Sequence, residues 1–333
     1  MRSVLLAASA LAMVAVTAAP ALSAPPAGWP KLIVNQNGNG NYVVNSQSGN
    51  GKSKFDIYSD GDNNVGVNTQ KAGGGCIFII CAYGENNDVV TQYGNRNKTD
   101  VNQEIGLGKN NSNILQDGNR NSAKVKQKAT AGLLNSNIQQ QGSWNKADID
   151  QEATLGAQDS TVYQVGLGNY AKKKQRSTVG ANTSFTLQAG ALNYSDTDQK
   201  GTNGEATVQL GILNGAKTKQ DGDLNVSLTG QLGVLNGSVT DQKGDENTAV
   251  TLQGGAVQFS KTKQEGDGNS AATVQLGALN TSQTDQHGND NESTVVQTGV
   301  GNASHVDQNV TNGGWSSVSQ TGNGNTVISY QNN

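Results

Sequence analysis

The sequence has little of what an ordinary globular domain buries. Of its 333 residues, 33% are hydrophobic and only 5% are aromatic, which is too few for a large apolar core. Composition alone would indicate disorder. However, all four prolines lie within the first 30 residues, so none interrupts backbone pairing in the rest of the chain. The sequence therefore favours strands, provided that something other than apolar packing orders them.

The residues that usually carry catalysis or bind metals are also scarce, with two histidines and two cysteines. His287 falls in a predicted turn and His305 at an outward position, and no nucleophile or carboxylate pair is set in a distinct cleft. Two thiols without a His or carboxylate cluster do not predict a metal site. Lysines are interleaved with aspartates, so no nucleic-acid-binding patch is predicted. We expect neither an enzyme nor a bound cofactor.

Long apolar runs are absent except at the N-terminus, where residues 4–16 follow Arg2 and precede Ala-Leu-Ser-Ala at residues 21–24. The run is too short for a membrane span and ends in small residues. It predicts a secretory signal peptide over residues 1–23, cleaved after Ser23, and an exported product. The pattern divides the rest into irregular N-terminal arms at residues 24–85 and a regular repeat array at residues 86–333.

The chain is rich in glycine, with 43 residues, and in side-chain amides at a fixed spacing of 11 residues. The repeating unit is Asn-x5-Gln-x-Gly-x-x. Its glutamines include Gln209, Gln220, Gln231, Gln242, Gln253, Gln264, Gln275, Gln286, Gln297 and Gln308. Its asparagines include Asn203, Asn214, Asn225, Asn236, Asn247, Asn269, Asn280, Asn291 and Asn302, with Gln258 replacing Asn once.

This unit predicts a short strand followed by a turn. In an extended strand the Asn, the second and fourth residues after it, and the Gln share one face. Those intermediate positions are Ala or Ser and Thr or Val, whereas the opposite face varies, as in a half-buried strand. The glycine two residues after most of the glutamines permits a tight turn. We predict an all-β fold, a parallel two-sheet β-solenoid of strand–turn–strand coils.

The coil length changes along the array. It is 24 residues from Asn86 to Gln199 and about 22 afterwards, which predicts 11 regular coils. Lys173 and Glu205 occupy inward positions, where a charge buried alone is costly. At Lys173 we therefore expect a locally opened arm.

Outward positions on the second arm of each coil alternate in charge from coil to coil. Parallel stacking would place each acidic pair between two basic pairs, and a slip of one coil would set like charges together. We interpret the alternation as fixing the register, the alternative being a plain solvated charged face. The residues are Asp148, Asp150, Lys172, Lys174, Asp196, Asp198, Lys217, Lys219, Asp241, Lys261 and Lys263.

Outward positions on the first arm are apolar instead, and so is the turn that follows it. Together they form a stripe longer than a solitary soluble protein usually exposes. We predict that it makes a lateral contact, either between filaments or with a hydrophobic surface. The stripe includes Phe185, Leu187, Val208, Val250, Leu252 and Val274.

Residues 71–85 interrupt the array with Cys76 and Cys81 around a strongly apolar run. In an oxidising compartment two cysteines this close are expected to pair. They would point to opposite faces of a straight strand, so a disulfide requires a turn. The insert is predicted to be a loop pinned by a disulfide, or an apolar prong that contacts a partner or surface.

The array resembles the curlin repeat: a polar residue, five residues, Gln-x-Gly-x-x-Asn-x-Ala, three residues and Gln. Residues 110–127 and 269–286 carry this pattern, and about 22 consecutive arms follow it between Asn86 and Gln331. The resemblance implies secretion through an outer-membrane channel and polymerisation on a surface-bound nucleator into extracellular amyloid fibres for biofilm matrix and adhesion. The implied partners are copies of the chain or homologous subunits. The long array and the Cys-bracketed insert leave open whether the chain is a major subunit, a nucleator or a modifier.

The ends of a solenoid suggest how such a fibre would grow. Each end leaves a row of unpaired backbone groups, which can recruit another chain. Residues 325–331 keep a complete inward face and predict a growth interface. The competing interpretation is a monomeric, self-capped solenoid that serves as a surface adhesin.

Overall fold

The computed structural model describes residues 13–18, 31–49, 51–77 and 80–332, with side chains described for residues 31–49, 51–73 and 84–332. The described residues contain strands joined by tight turns and no helix. They form a parallel two-sheet β-solenoid of about 13 turns, which confirms the fold predicted from the repeat. At a strand spacing of about 4.8 Å the stack is roughly 60 Å tall.

The two sheets are named here after their outward side chains, and their strands are numbered in chain order. The charged sheet contains β1 (Met13–Ala18), β3 (Tyr42–Gly49), β5 (Val65–Ala72), β8 (Lys98–Ile105), β10 (Ser122–Thr130), β12 (Lys146–Thr154), β14 (Tyr170–Ser177), β16 (Tyr194–Lys200), β18 (Gly215–Asp221), β20 (Gly237–Lys243), β22 (Phe259–Glu265), β24 (Thr281–Asn289), β26 (Ala303–Asn312) and β28 (Thr326–Asn332). The apolar sheet contains β2 (Lys31–Asn37), β4 (Lys52–Asp60), β7 (Ile80–Tyr93), β9 (Gly108–Asn119), β11 (Gly132–Ser143), β13 (Ala157–Leu167), β15 (Ala181–Ala191), β17 (Asn203–Ile212), β19 (Asn225–Val234), β21 (Thr248–Ala256), β23 (Ser270–Ala278), β25 (Glu292–Val300) and β27 (Trp315–Asn323), with the short β6 (Gly74–Ile77) paired to β7.

Successive coils stack in parallel with equivalent residues opposite one another. Gln209 faces Gln231 on the apolar sheet, and Gln220 faces Gln242 on the charged sheet. The arms before Asn86 follow the same rule, since Gln70 faces Gln103. The irregular arms at residues 31–72 therefore form two further coils on the same sheets.

Glycine is required in the turn because the coils approach so closely there. Gly211 has φ 132°, and a Cβ added to it would lie 1.9 Å from the carbonyl oxygen of Gly233 in the next coil. The same contact recurs from Gly233 to Gly255. The glycine that follows most of the glutamines by two residues thus permits both the turn and the close approach of successive coils.

The space between the sheets changes character along the stack. Aliphatic side chains such as Ile114, Ile138 and Ile149 form the largest apolar cluster, in the N-terminal coils. Beyond Ala171, buried Thr side chains such as Thr229 and Thr251 take that position, until Val295 and Val306 begin a second apolar cluster. The C-terminal half therefore has less apolar packing between its sheets, and its inward hydrogen bonds come chiefly from the Asn and Gln amides.

Most of the predicted signal peptide, with its cleavage site after Ser23, lies outside the described residues. Of its backbone, Met13–Ala18 forms β1, which pairs in parallel with β3.

Candidate assembly surfaces

The inward glutamines link both the coils and the two sheets. The Nε2 atom of Gln209 donates to the Oε1 atom of Gln231 in the next coil, at 2.7 Å. It also donates to the backbone oxygen of Tyr194 on the opposite sheet, at 2.9 Å. Gln220 does the same with Gln242 and the oxygen of Gly204. These bonds satisfy side-chain amides that would otherwise be costly to bury.

Every link in the glutamine ladders has the same direction. On the charged sheet Nε2 donates toward the C-terminal coil at each step from Gln47 to Gln331, with distances between 2.7 and 3.3 Å. On the apolar sheet the same holds from Gln92 to Gln320. The stack therefore has a donor end and an acceptor end.

The inward asparagines secure the turns. The Nδ2 atom of Asn193 donates to the oxygen of Ala189 at 3.3 Å and to that of Gly211 in the next coil at 3.0 Å. Its Oδ1 atom accepts the backbone N–H of Asn214 at 3.1 Å. All the asparagines predicted for the ladder are buried, as are its glutamines. Each asparagine amide thus hydrogen-bonds to backbone groups of the turns that would otherwise lack a partner.

Lys173 and Glu205 form a buried ion pair, and the opened arm expected at Lys173 is wrong. Both side chains are fully buried, with 2.7 Å between Nζ of Lys173 and Oε2 of Glu205. Nζ also donates to Thr197, and Glu205 accepts hydrogen bonds from the hydroxyls of Ser184 and Thr207. Burial lowers the pKa of Lys173, while the Glu205 carboxylate opposes that shift. The two charges meet across the core because the residues lie on opposite sheets.

Asp88 is a further buried ionisable residue, and sequence reasoning missed it. It occupies the inward position that usually holds Ala or Ser, and it is fully buried. Gln70 donates to its Oδ2 atom at 2.9 Å, but Oδ1 has no partner. Burial raises the pKa of Asp88 well above its usual range, against the smaller opposing effect of the Gln70 hydrogen bond. A single carboxylate in place of a small residue leaves the repeat pattern unchanged, so nothing in the sequence indicated that Asp88 is buried.

The predicted register charges face outward on the charged sheet in the expected order. Asp148 lies opposite Lys124 on one side and Lys172 on the other. The Lys172–Asp196 and Lys219–Asp241 ion pairs measure 3.7 and 3.9 Å. Each such exposed pair stabilises by only about 0.2–1 kcal/mol, so their arrangement matters more than their strength.

A further alternating column lies at the end of the same strands and was not predicted. It runs through Lys71, Glu104, Lys128, Glu152, Arg176, Lys200, Asp221, Lys243, Glu265 and His287. Ion pairs join Lys128 to Glu152 at 3.5 Å and Lys200 to Asp221 at 3.1 Å. The alternation fails once, where Arg176 adjoins Lys200 and binds Asp198 instead. This column could have been found in the sequence, because its members are the residues that directly follow the second-arm glutamines.

The predicted apolar stripe lies in register on the outer face of the apolar sheet. Leu187 faces Val208, and Leu252 faces Val274. Gly230 lies between Val208 and Leu252 in this column and leaves a notch, which sequence reasoning did not single out. With Leu232 and Leu276 the notch forms an apolar groove of about 300 Å³.

The neighbouring turn carries a ridge of exposed apolar residues with unfavourable backbone angles. Leu192, Leu213, Leu235, Val257 and Leu279 have φ between 55° and 59°, and their exposed fractions lie between 46% and 55%. The left-handed region costs an ordinary residue about 1–2 kcal/mol, more for a branched one. Glycine would adopt this backbone conformation at a lower free-energy cost, so the large apolar side chains at this position do not stabilise the turn.

The Cys-bracketed insert is an antiparallel hairpin of β6 and the start of β7. Its backbone register places Cys76 opposite Cys81 on antiparallel strands, the arrangement that a disulfide between them requires. The side chains of both cysteines lie outside the described ones, so the disulfide and the prong remain predictions.

Each sheet ends in a strand that pairs on one side only. β28 pairs with β26 and β27 with β25, and no described strand lies beyond them. In each coil the first outward residue donates its N–H to the next coil, as Ala303 does to the oxygen of Asn325 at 2.8 Å. Thr326 holds that position in β28, without an acceptor among the described residues.

Among the described residues, no group of three or more His, Cys, Asp or Glu side chains is placed to hold a metal ion. That part of the chain also contains no helix long and apolar enough to cross a membrane. In comparisons with known proteins, the chain matches no family and shows no significant similarity to a curated protein. The assembly surfaces are thus characterised by their geometry alone.

Proposed function

We propose that the protein is a structural subunit of an extracellular curli-like amyloid fibre, which polymerises end to end through its open strand edges. The observation that supports this most is that, among the described strands, β27 and β28 pair on one side only while their inward ladders stay complete to Gln320 and Gln331. A further chain would meet backbone N–H and C=O groups and side-chain amides already set at the spacing of one coil. The curlin-like repeat supports the same assignment.

The direction of the amide ladders favours head-to-tail growth. The end at Gln331 offers an Nε2 donor, and the opposite end must offer an Oε1 acceptor, as Gln47 does. Joining two Gln331 ends would instead place one Nε2 donor against another. In an exported protein that loses residues 1–23, β1 would be absent and the edge of β3 would be free to accept another chain.

The apolar stripe and ridge support lateral contact as the second part of this function. Exposed leucines in left-handed turns reduce stability and would expose apolar surface on a solitary solenoid. Packing against a neighbouring filament or a hydrophobic surface would bury them. This is the basis for the proposed roles in biofilm matrix and adhesion, with a nucleator and a secretion channel as the partners implied by the repeat.

A strand-edge block tests end-to-end polymerisation. Thr326→Pro with Ser317→Pro removes backbone donors that face away from the stack on β28 and β27, so the soluble chain should keep its fold. We expect seeded growth, followed by thioflavin fluorescence, to slow at least about tenfold, because proline cannot donate to the added strand.

The matched control is Thr326→Ala with Ser317→Ala, which changes the same side chains and keeps both N–H groups. It should elongate like the unmodified chain. A persistent monomer in sedimentation, with no seeded growth by the unmodified chain, would instead support the monomeric adhesin. Equal growth of the Pro and Ala variants would exclude this end as the growth interface.

A further inference from the structure

A basic and aromatic cluster lies in the N-terminal coils, on the same edge of the solenoid that carries the apolar ridge further along the stack. We call it the Arg–Trp column, formed by Arg96, Arg120 and Trp144. They hold the same turn position in successive coils, since the N–H groups of Arg120 and Trp144 donate to the oxygens of Asn95 and Asn119 at 2.9 and 3.1 Å. The equivalent residue in the next coil is Gly168, which separates the Arg–Trp column from Leu192, the first residue of the apolar ridge at the same turn position.

The column has no internal counter-charge. The Arg120 guanidinium lies over the Trp144 ring, 4.5 Å from its centroid, and the ring is 56% exposed. Arg96 lies one coil away, at about 4.8 Å along the stack. In the part of the chain that the structure describes, neither arginine makes an ion pair, unlike the basic residues that alternate with acids on the charged sheet.

The turns beside the column supply further polar groups to an open groove of about 510 Å³. The Oδ1 atoms of Asn95 and Asn119 accept backbone N–H groups at 2.7 and 3.1 Å, which leaves both Nδ2 groups as donors. Asp62 accepts the N–H of Asn39 through Oδ1 at 2.7 Å and keeps Oδ2 as an acceptor. The groove thus combines cations, amide donors, a carboxylate acceptor and an aromatic face.

The backbone indicates that these side chains are not there for the fold. Arg96, Arg120 and Trp144 have φ of 58°, 58° and 63°, in the left-handed region that favours Gly or Asn. Gly40 and Gly168 hold the equivalent position in other coils. Large, exposed side chains that are kept in an unfavourable backbone conformation and have no ion-pair partner are typical of a binding site.

We propose that the Arg–Trp column binds an acidic saccharide. A uronic-acid carboxylate would receive charge-assisted hydrogen bonds from Arg96 and Arg120, while a sugar ring packs on Trp144. The ring hydroxyls would bond to the amides of Asn95 and Asn119 and to Asp62. This site does not depend on polymerisation.

The charges around the groove favour a saccharide over a nucleic acid. The groove includes Asp62, and Asp60 and Asp117 each lie two residues before a groove residue, at the ends of β4 and β9. A strand with a phosphate on every unit would meet these carboxylates beside the two arginines. A ligand with one carboxylate per ring and several hydroxyls matches the mixture of donors and acceptors better.

Isothermal titration of the soluble full-length chain with a short oligogalacturonate tests the proposal. We expect binding that weakens as salt is added and that a neutral glucan of equal length does not reproduce. Arg96→Gly with Arg120→Gly should weaken it at least about tenfold, and Trp144→Gly should also weaken it. Since glycine is the favoured residue at this position, these variants should fold.

Leu192→Gly is the matched control, because it makes the same kind of change in the same column outside the groove. It should leave the affinity unchanged. The proposal is overturned if the oligogalacturonate does not bind, if the Arg and Trp variants bind it as the unmodified chain does, or if single-stranded DNA of similar length binds more tightly to the same groove.

Discussion

Lys173 and Glu205 show how this core tolerates residues that break its pattern. Each alone would place a charge among amides and hydroxyls, yet together they form one ion pair with three hydroxyl partners. Removing one member of such a pair leaves a buried charge without a partner, whereas removing both can be nearly neutral. The pair is thus a coupled unit.

Lys173→Ile or Glu205→Ser alone should lower the free energy of unfolding by about 3–5 kcal/mol. The double variant should lie near the unmodified chain, because Ile149 and Ser227 hold the equivalent positions in adjacent coils. Denaturant unfolding of the soluble chain in a double-mutant cycle measures the coupling. Additive losses would show that the two residues act independently.

Asp88→Asn should stabilise the chain at neutral pH and have little effect in acid. Burial raises the pKa of Asp88, so its contribution is favourable below its unfolded pKa and is lost as the pH rises through the folded one. We expect a gain of about 1 kcal/mol or more at pH 7. Thermal unfolding between pH 3 and 8 tests this against Asp117→Asn, an exposed aspartate on β9. Equal pH dependence in both variants would contradict it.

At the scale of strands and turns, the sequence predicted most of the fold. The 11-residue spacing was enough for the inward faces, the parallel register and the glycine turns, because each depends only on neighbours along the stack. The Lys173–Glu205 pair could not be predicted in this way, since it depends on which side chains meet across the core. Ladder direction was also inaccessible, because every amide carries both a donor and an acceptor.

The apolar stripe is the element on which lateral contact between filaments depends. Leu187→Lys with Val208→Lys places two charges on adjacent strands of that face. We expect single fibres instead of bundles in electron microscopy, with unchanged seeded growth, because desolvating the lysines would oppose side-by-side packing.

Asn113→Lys with Asn137→Lys is the matched control for the stripe. It adds the same charges on adjacent strands of the same sheet, outside the apolar stripe. Bundling should persist in this variant. If the stripe variant also bundles, the lateral contact lies elsewhere.

At the scale of the whole molecule, the coils are similar enough for one to replace another at the end. Deleting residues 314–333 removes β27 and β28 and leaves β25 and β26, whose Gln297 and Gln308 carry the same ladder. We therefore expect the truncated chain to keep elongating, but at a changed rate, because the outward side chains of the new end differ, with Glu292 exposed where Trp315 lies opposite it in the full chain. Single-fibre imaging with labelled seeds measures it, and growth curves identical to those of the full chain would argue against this end.

The shared direction of the glutamine amides also has an electrical consequence. Side-chain dipoles that all point one way add along the stack, as peptide dipoles do in a helix. The tip at Gln331 would carry partial positive charge and the opposite tip partial negative charge. An assembled rod should therefore orient in an applied field, and its two tips should attract ions of opposite sign.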